Sequence, residues 1–202
     1  MKPLRLIRKI SFGVVLITCL AFSIFPAHAA APVRPIPAFM NFITSVKNGQ
    51  AGLVSGVYVP GLFALKVSQQ PANDPSFVAP WLGTVTEFKA AKNSGNIGLL
   101  AHNHLAGQDF PSLKTGQEVR IIYGDGKIEY FRVTKILHYQ ALQPESMVSD
   151  FIDLNSGERL TWSAVYKITY QGARHLTFQT CIEKNGNQTW GRLFVIAEPY
   201  TP

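Results

Sequence analysis

Cys181 is the residue whose chemistry most needs an explanation. It stands in the run LTFQTCIEKNGNQTWGRLFVIAEP, at the end of an apolar, strand-like stretch, and the other cysteine, Cys19, lies in an apolar N-terminal segment. A thiol with no partner for an internal disulfide is either packed away like a small hydrophobe or used as a nucleophile. With an unperturbed pKa near about 8.5 it is scarcely ionised at neutral pH, so use requires a base or a cation beside it. The chain offers both. His102 and His104 occur in GLLAHNH and share a face if their strand continues. Arg192 opens the apolar run LFVIA after the turn-rich NGNQTWG. If the strands holding Cys181 and Arg192 pair as a hairpin, the guanidinium returns to the thiol, where it can hydrogen-bond a carbonyl or its developing oxyanion. Thiol, imidazole and guanidinium together describe acyl transfer.

The histidines have other readings. With His138 or His175 the pair could hold a metal, but no carboxylate or second cysteine is spaced to complete the set, so no metal and no cofactor are expected. Glu145, Asp150, Asp153 and Glu158 are too scattered to mark a calcium site. His175, directly after Arg174, reads as loop decoration.

The elements that must position these groups are mostly strands. Strand patterns cover 62–67, 83–88, 97–101, 119–123, 128–137, 160–170, 176–182 and 193–197. Gly124-Asp125-Gly126 reads as a hairpin turn and Tyr170-Gln171-Gly172 as a weaker one, while 183–191 reads as a short loop. Apolar residues at helical spacing predict a helix over 38–47, closed by Asn48-Gly49, and a second short helix over 144–154. Many short strands, abundant Gly and Pro, and no alternation with long helices point to a mostly β chain closed into an antiparallel-rich barrel. Closure also removes the sheet edges that invite aggregation.

The first residues read as a targeting segment. Lys2, Arg5, Arg8 and Lys9 precede the apolar run 10–25, and Ala27-His28-Ala29 offers a cleavage site. Residues 1–29 are therefore expected to be a signal peptide, with retention as a membrane anchor as the alternative; either way the rest of the chain is exported to the outer side of the cell envelope. Residues 30–60 are expected to form an N-terminal extension with a short helix, and 61–202 the barrel. Without 1–29 the chain carries fifteen basic and twelve acidic residues, a formal charge of +3. That charge, with no basic stripe interleaved with aromatics, argues against a nucleic-acid partner.

The residues around the three candidate groups resemble the sortases, cysteine transpeptidases of the cell envelope. LTFQTC is similar to the family's TLxTC motif, with Phe178 at its hydrophobic place and Thr180-Cys181 intact. NIGLLAHNH resembles the strand that ends in the catalytic histidine, and WGRLFVIAEP the strand carrying the arginine. Two departures stand out. Ala101 replaces the glycine usual before the histidine, and His104 is extra, which makes it a rival to His102 as base. The resemblance implies a closed eight-stranded β-barrel with short helices. It implies that Cys181 attacks a backbone carbonyl in a short, LPxTG-like sorting motif of a surface protein or pilin, and that an amine of a peptidoglycan precursor or a lysine resolves the thioester. His102 would move the proton and Arg192 would hold substrate or oxyanion. Thr180, His104 and, two residues from Arg192, Trp190 are expected at the substrate groove.

Three alternatives stay open. An envelope cysteine hydrolase would use water as acceptor. Papain-like and L,D-transpeptidase-like enzymes fit less well: the first place the cysteine before the histidine, and the second carry it behind a glycine-rich HG segment that Cys181 lacks. A non-catalytic peptide-binding barrel would leave Cys181 inert.

Overall fold

The computed structural model describes residues 35–202. The expected signal peptide and the first residues of the expected extension lie outside the described residues. The helical spacing near the N-terminus forms α1 (Phe39–Val46), as expected, and its buried face of Phe42, Ile43 and Val46 packs on Tyr58 and Ile122. No described helix is long and apolar enough to cross a membrane.

Ten strands follow: β1 (Val54–Val59), β2 (Phe63–Gln69), β3 (Thr84–Glu87), β4 (Ile97–Leu100), β5 (Glu118–Tyr123), β6 (Ile128–Ala141), β7 (Phe151–Asp153), β8 (Arg159–Leu160), β9 (Leu176–Lys184) and β10 (Asn187–Pro199). Pairing runs β10-β9-β4-β3-β2-β1-β5-β6, and β6 also pairs with β10, which closes these eight strands into the expected barrel. β7 and β8 extend from the end of β6 as a short ribbon. The β2–β3 and β4–β9 pairs are parallel and the other pairs antiparallel. Three short helices complete the chain: α2 (Lys89–Asn93), a 3₁₀ helix (Ala106–Ser112) and α3 (Trp162–Tyr170).

Alternating side chains fill the barrel. Val57, Leu65, Leu99, Ile121, Phe178 and Val195 are buried in one cluster, and the rings of Phe63, Phe110 and Phe178 meet there with centroids 5.0 to 6.0 Å apart. Truncating a fully buried aromatic removes its transfer energy and leaves a cavity. Phe178→Ala should therefore destabilise the fold by about 3–5 kcal/mol, read from the urea midpoint. A loss below about 1 kcal/mol would mean the aromatic trio is not central to the core.

Four local expectations are corrected. The segment 160–170, read as a strand, is β8's last residue followed by α3. Thr161 caps that helix by accepting from the Ala164 N–H at 3.2 Å, and Val165, Thr169 and Tyr170 form its buried face. Tyr170-Gln171-Gly172 consequently joins a helix to β9 and is not a hairpin turn. The segment 144–154 holds turns and β7, with no helix. The barrel also takes in β1, within the stretch 30–60 assigned to the extension.

Candidate active site

Cys181 belongs to β9. Along that strand Leu176, Phe178 and Thr180 are buried, while Gln179 and Cys181 on the opposite face are half-buried. The strand continues three residues beyond the cysteine to Lys184, so the thiol sits within a strand and not beside a loop. The expected loop 183–191 is likewise mostly strand. β9 and β10 turn over Asn185 and Gly186, both at positive φ (53° and 80°), a two-residue turn whose twist suits a hairpin. A register shift between Asn187 and Gly191 then sets Arg192 directly opposite Cys181, and opposed residues of an antiparallel pair share a face. His102 arrives from the other side. β4 runs parallel to β9 with Leu100 opposite Gln179, and the Ala101 N–H donates to the Gln179 carbonyl at 3.1 Å, so the next residue is delivered alongside Cys181.

Cys181, His102 and Arg192 line one groove of about 360 Å³. One wall is α3, through Trp162, Val165, Tyr166, Thr169 and Tyr170. Pro75 and Val78 from the β2–β3 connection and Ser146 and Met147 from the β6–β7 connection form its rims. The Tyr170 hydroxyl donates to Gln179 Oε1 on the floor. An extended chain with an apolar side chain fits such a lining.

Burial pushes the Cys181 thiol above its ordinary value, Arg192 opposes that, and Glu145 adds to it. The resting group at neutral pH is therefore the thiol, and attack requires that its proton be taken. The Arg192 guanidinium is held by backbone carbonyls: Nη1 donates to Thr189 at 2.7 Å and to Gly191 at 2.9 Å, and Nη2 to Pro144 at 3.0 Å. Thr189 Oγ1 in turn donates to Glu145 Oε1 at 2.6 Å. These bonds tie the β6–β7 connection to the β9–β10 hairpin and leave the remaining N–H donors of the fork unengaged by them.

The other expected groove residues separate. Thr180 contributes to the groove lining, but its hydroxyl is buried and finds no hydrogen-bond partner among the described residues. Trp190 is not among the groove residues; its ring lies 4.4 Å from the Lys184 ammonium. His104 stacks on His102, centroids 5.4 Å apart and planes at 26°, yet it faces a second cavity that also touches Cys181. His175 is no loop decoration. It is 7% exposed, and its ring nitrogens lie 2.7 Å from the Ala173 carbonyl and 2.8 Å from that of Thr169, which joins the end of α3 to the start of β9. Among the described residues no three of His, Cys, Asp and Glu cluster as a metal-ligand set.

Gly107 was not singled out from the sequence, and Glu145 was weighed only as a scattered acidic residue for calcium. Gly107 donates its N–H to the His102 carbonyl at 3.0 Å. A methyl group there would run into the Thr180 hydroxyl and lie 2.8 Å from the His102 carbonyl and 2.9 Å from that of Ala101. Gly107→Ala should therefore push the His102 segment off β9, costing about 1–3 kcal/mol of stability and shifting the His102 imidazole NMR signals. Unchanged imidazole signals would show that the segment tolerates the methyl. The lone signal for this position is a glycine five residues after His102.

No protein-family model matches the sequence, and no curated protein matches it. Solved structures do. Sortase A from Corynebacterium diphtheriae aligns with a TM-score of 0.51 and 13% identity over 76% of this chain and 63% of that one. Sortase C-1 from Actinomyces oris aligns with a TM-score of 0.49 and 12% identity over 83% of each chain, and sortase A from Listeria monocytogenes with 0.46 and 14% over 73% and 87%. The fold of residues 35–202 is the sortase fold.

Proposed function

We propose that the protein is a sortase-type cysteine transpeptidase of the cell envelope. The observation that carries this reading is the convergence of Cys181, His102 and Arg192 on one groove. A sorting-motif peptide lies in the groove with its scissile carbonyl at Cys181. The His102 imidazole takes the thiol proton as Sγ bonds to the carbonyl carbon, which suits a thiol that rests protonated. The oxyanion accepts hydrogen bonds from the N–H donors of Arg192 that the backbone does not use. Collapse breaks the C–N bond, His102 protonates the leaving amine, and the acyl group remains on Sγ as a thioester. An amine from a peptidoglycan precursor or a pilin lysine then replaces sulfur. The groove's apolar lining supports a substrate with an LPxTG-like apolar side chain, and the basic, apolar N-terminus supports export to the outer face of the membrane.

Intact-mass analysis of residues 30–202 with a panel of sorting-motif peptides tests this. A covalent acyl adduct on the protein, discharged by added amine into a longer peptide, is the expected result. Discharge only by water would make the protein a hydrolase. No adduct with any peptide, together with a thiol that resists alkylation even in the alkaline range, would bring the peptide-binding barrel forward.

A further inference from the structure

Gln179 lines the groove two residues before Cys181, and the steps above make no use of it. Its carboxamide is held in one orientation. Tyr170 is 3% exposed, and its ring packs against those of Phe88, Tyr166 and Phe194 with centroids 5.1 to 6.2 Å apart. The Tyr170 hydroxyl donates to Gln179 Oε1. A buried hydroxyl needs an acceptor for its proton, and a flipped carboxamide would turn toward it Nε2, which can only donate. The Nε2 N–H groups are thereby aimed away from Tyr170, and no hydrogen bond engages them among the described residues. Nor is Nε2 among the buried polar atoms left without a partner, so these two donors are open to the groove.

The groove runs along β9 in one direction from the thiol. Its lining includes Gln179, Thr180 and Cys181 but neither Ile182 nor Glu183. The half of a peptide that stays bound as the thioester consequently passes over Gln179. Gln179 and Cys181 share a face of the strand, about 6.8 Å apart, and residues two apart in an extended peptide have the same spacing. With the scissile carbonyl at Sγ, the residue two before the scissile one falls over the Gln179 carboxamide. Leu100 and Phe194 stand directly opposite Gln179 on the neighbouring strands and line the groove with it. An apolar side chain laid between them would cover the two N–H donors without meeting either, which costs binding. A side chain with an acceptor oxygen meets them.

We propose that Gln179 is a specificity-determining residue whose side-chain N–H groups select a peptide carrying a hydrogen-bond acceptor, a carboxamide or hydroxyl oxygen, two residues before the scissile one. The proposal rests on the transpeptidase reading and narrows its substrate. The apolar wall of Val165, Tyr166 and Phe88 still takes an apolar anchor one residue further along, but the proline of an LPxTG motif, which has no acceptor in its side chain, is disfavoured at the place over Gln179. Tyr170 acts through Gln179 as a positioning residue, because its hydroxyl keeps the donors turned toward the peptide.

The test compares two peptides of nearly equal shape, acetyl-Leu-Asn-Ala-Thr-Gly-amide and acetyl-Leu-Leu-Ala-Thr-Gly-amide, by the ratio of their kcat/KM values. The ratio is taken within one protein, so any loss of folded or reactive enzyme cancels. Wild type should favour the asparagine peptide by about tenfold, the usual consequence of meeting or stranding a covered donor. Gln179→Leu should bring the ratio to one or below. Gln179→Glu keeps an acceptor for Tyr170 but removes the donors, and Tyr170→Phe lets the carboxamide swivel; both should lower the preference. A wild-type ratio near one, a ratio that Gln179→Leu and Gln179→Glu both keep, or turnover of the matching proline peptide alone overturns the proposal. A readout that needs no catalysis comes from titrating isotope-labelled Cys181→Ala protein with each peptide. The Gln179 side-chain amide signals should move further with the asparagine peptide than with the leucine peptide; equal shifts, or none, also overturn it. If no sorting-motif peptide acylates the wild-type protein the transpeptidase reading fails, and the titration still decides whether Gln179 reads an acceptor.

Discussion

Cys181→Ala is expected to abolish acyl-adduct formation and peptide turnover, a loss on the order of 10⁴-fold or more, since Cys181 supplies the one thiol in the groove lining. The fold should survive. The side chain is half-buried on the outer face of β9, apart from the inward Phe178 and Thr180, so Tm should move by no more than a few degrees. The wild-type thiol adds a pH signature. Because burial raises its pKa, alkylation by iodoacetamide should be slow at neutral pH and accelerate into the alkaline range as the thiolate forms. Undiminished turnover in the alanine variant would remove the thiol from the mechanism, whatever its reactivity.

Arg192→Ala should lower turnover by about 10²–10³-fold, the usual consequence of losing an oxyanion donor. A second effect follows from its bonds. The guanidinium holds the Pro144 carbonyl, so its removal should speed amide hydrogen exchange across 142–150 while the barrel strands keep their protection. Arg192→Lys preserves charge but not the planar fork that spans the Thr189, Gly191 and Pro144 carbonyls, and it should not restore the wild-type rate. Normal turnover in Arg192→Ala would reduce the residue to a strap for the connection between β6 and β7.

The barrel, and the meeting of Cys181, His102 and Arg192 on one groove, were legible because local signals agreed with the tertiary answer. Apolar runs near Cys181 and Arg192, separated by turn residues, read as two strands of a hairpin, and the hairpin formed. Where the reading failed, context outweighed pattern. Residues 160–170 are rich in Trp, Val, Tyr, Ile and Thr, which favour strands. What made a helix of them was the Thr161 cap and an apolar groove wall to complete with Val165 and Tyr170. β1 was missed because Gly56 interrupts it, and that glycine is there for α1. A methyl group at 56 would lie 3.0 Å from the side chains of Phe42 and Val46, a contact between elements that strand periodicity cannot register. The division of the two histidines was hidden for a similar reason. Spacing of i and i+2 puts them on one face only if the strand continues, and β4 ends at Leu100.

The turn at Asn185 and Gly186 also bears on how this scaffold can be altered. Thiol and guanidinium sit on one continuous ribbon, and a one-residue slip of the register between Cys181 and Arg192 would turn one of them to the other face. The groove's rims, the segments 71–82 and 142–150, line it without carrying either group, and so does the wall formed by α3. A designer can therefore exchange the groove's rims and leave the hairpin of Cys181 and Arg192 as an unchanged cassette.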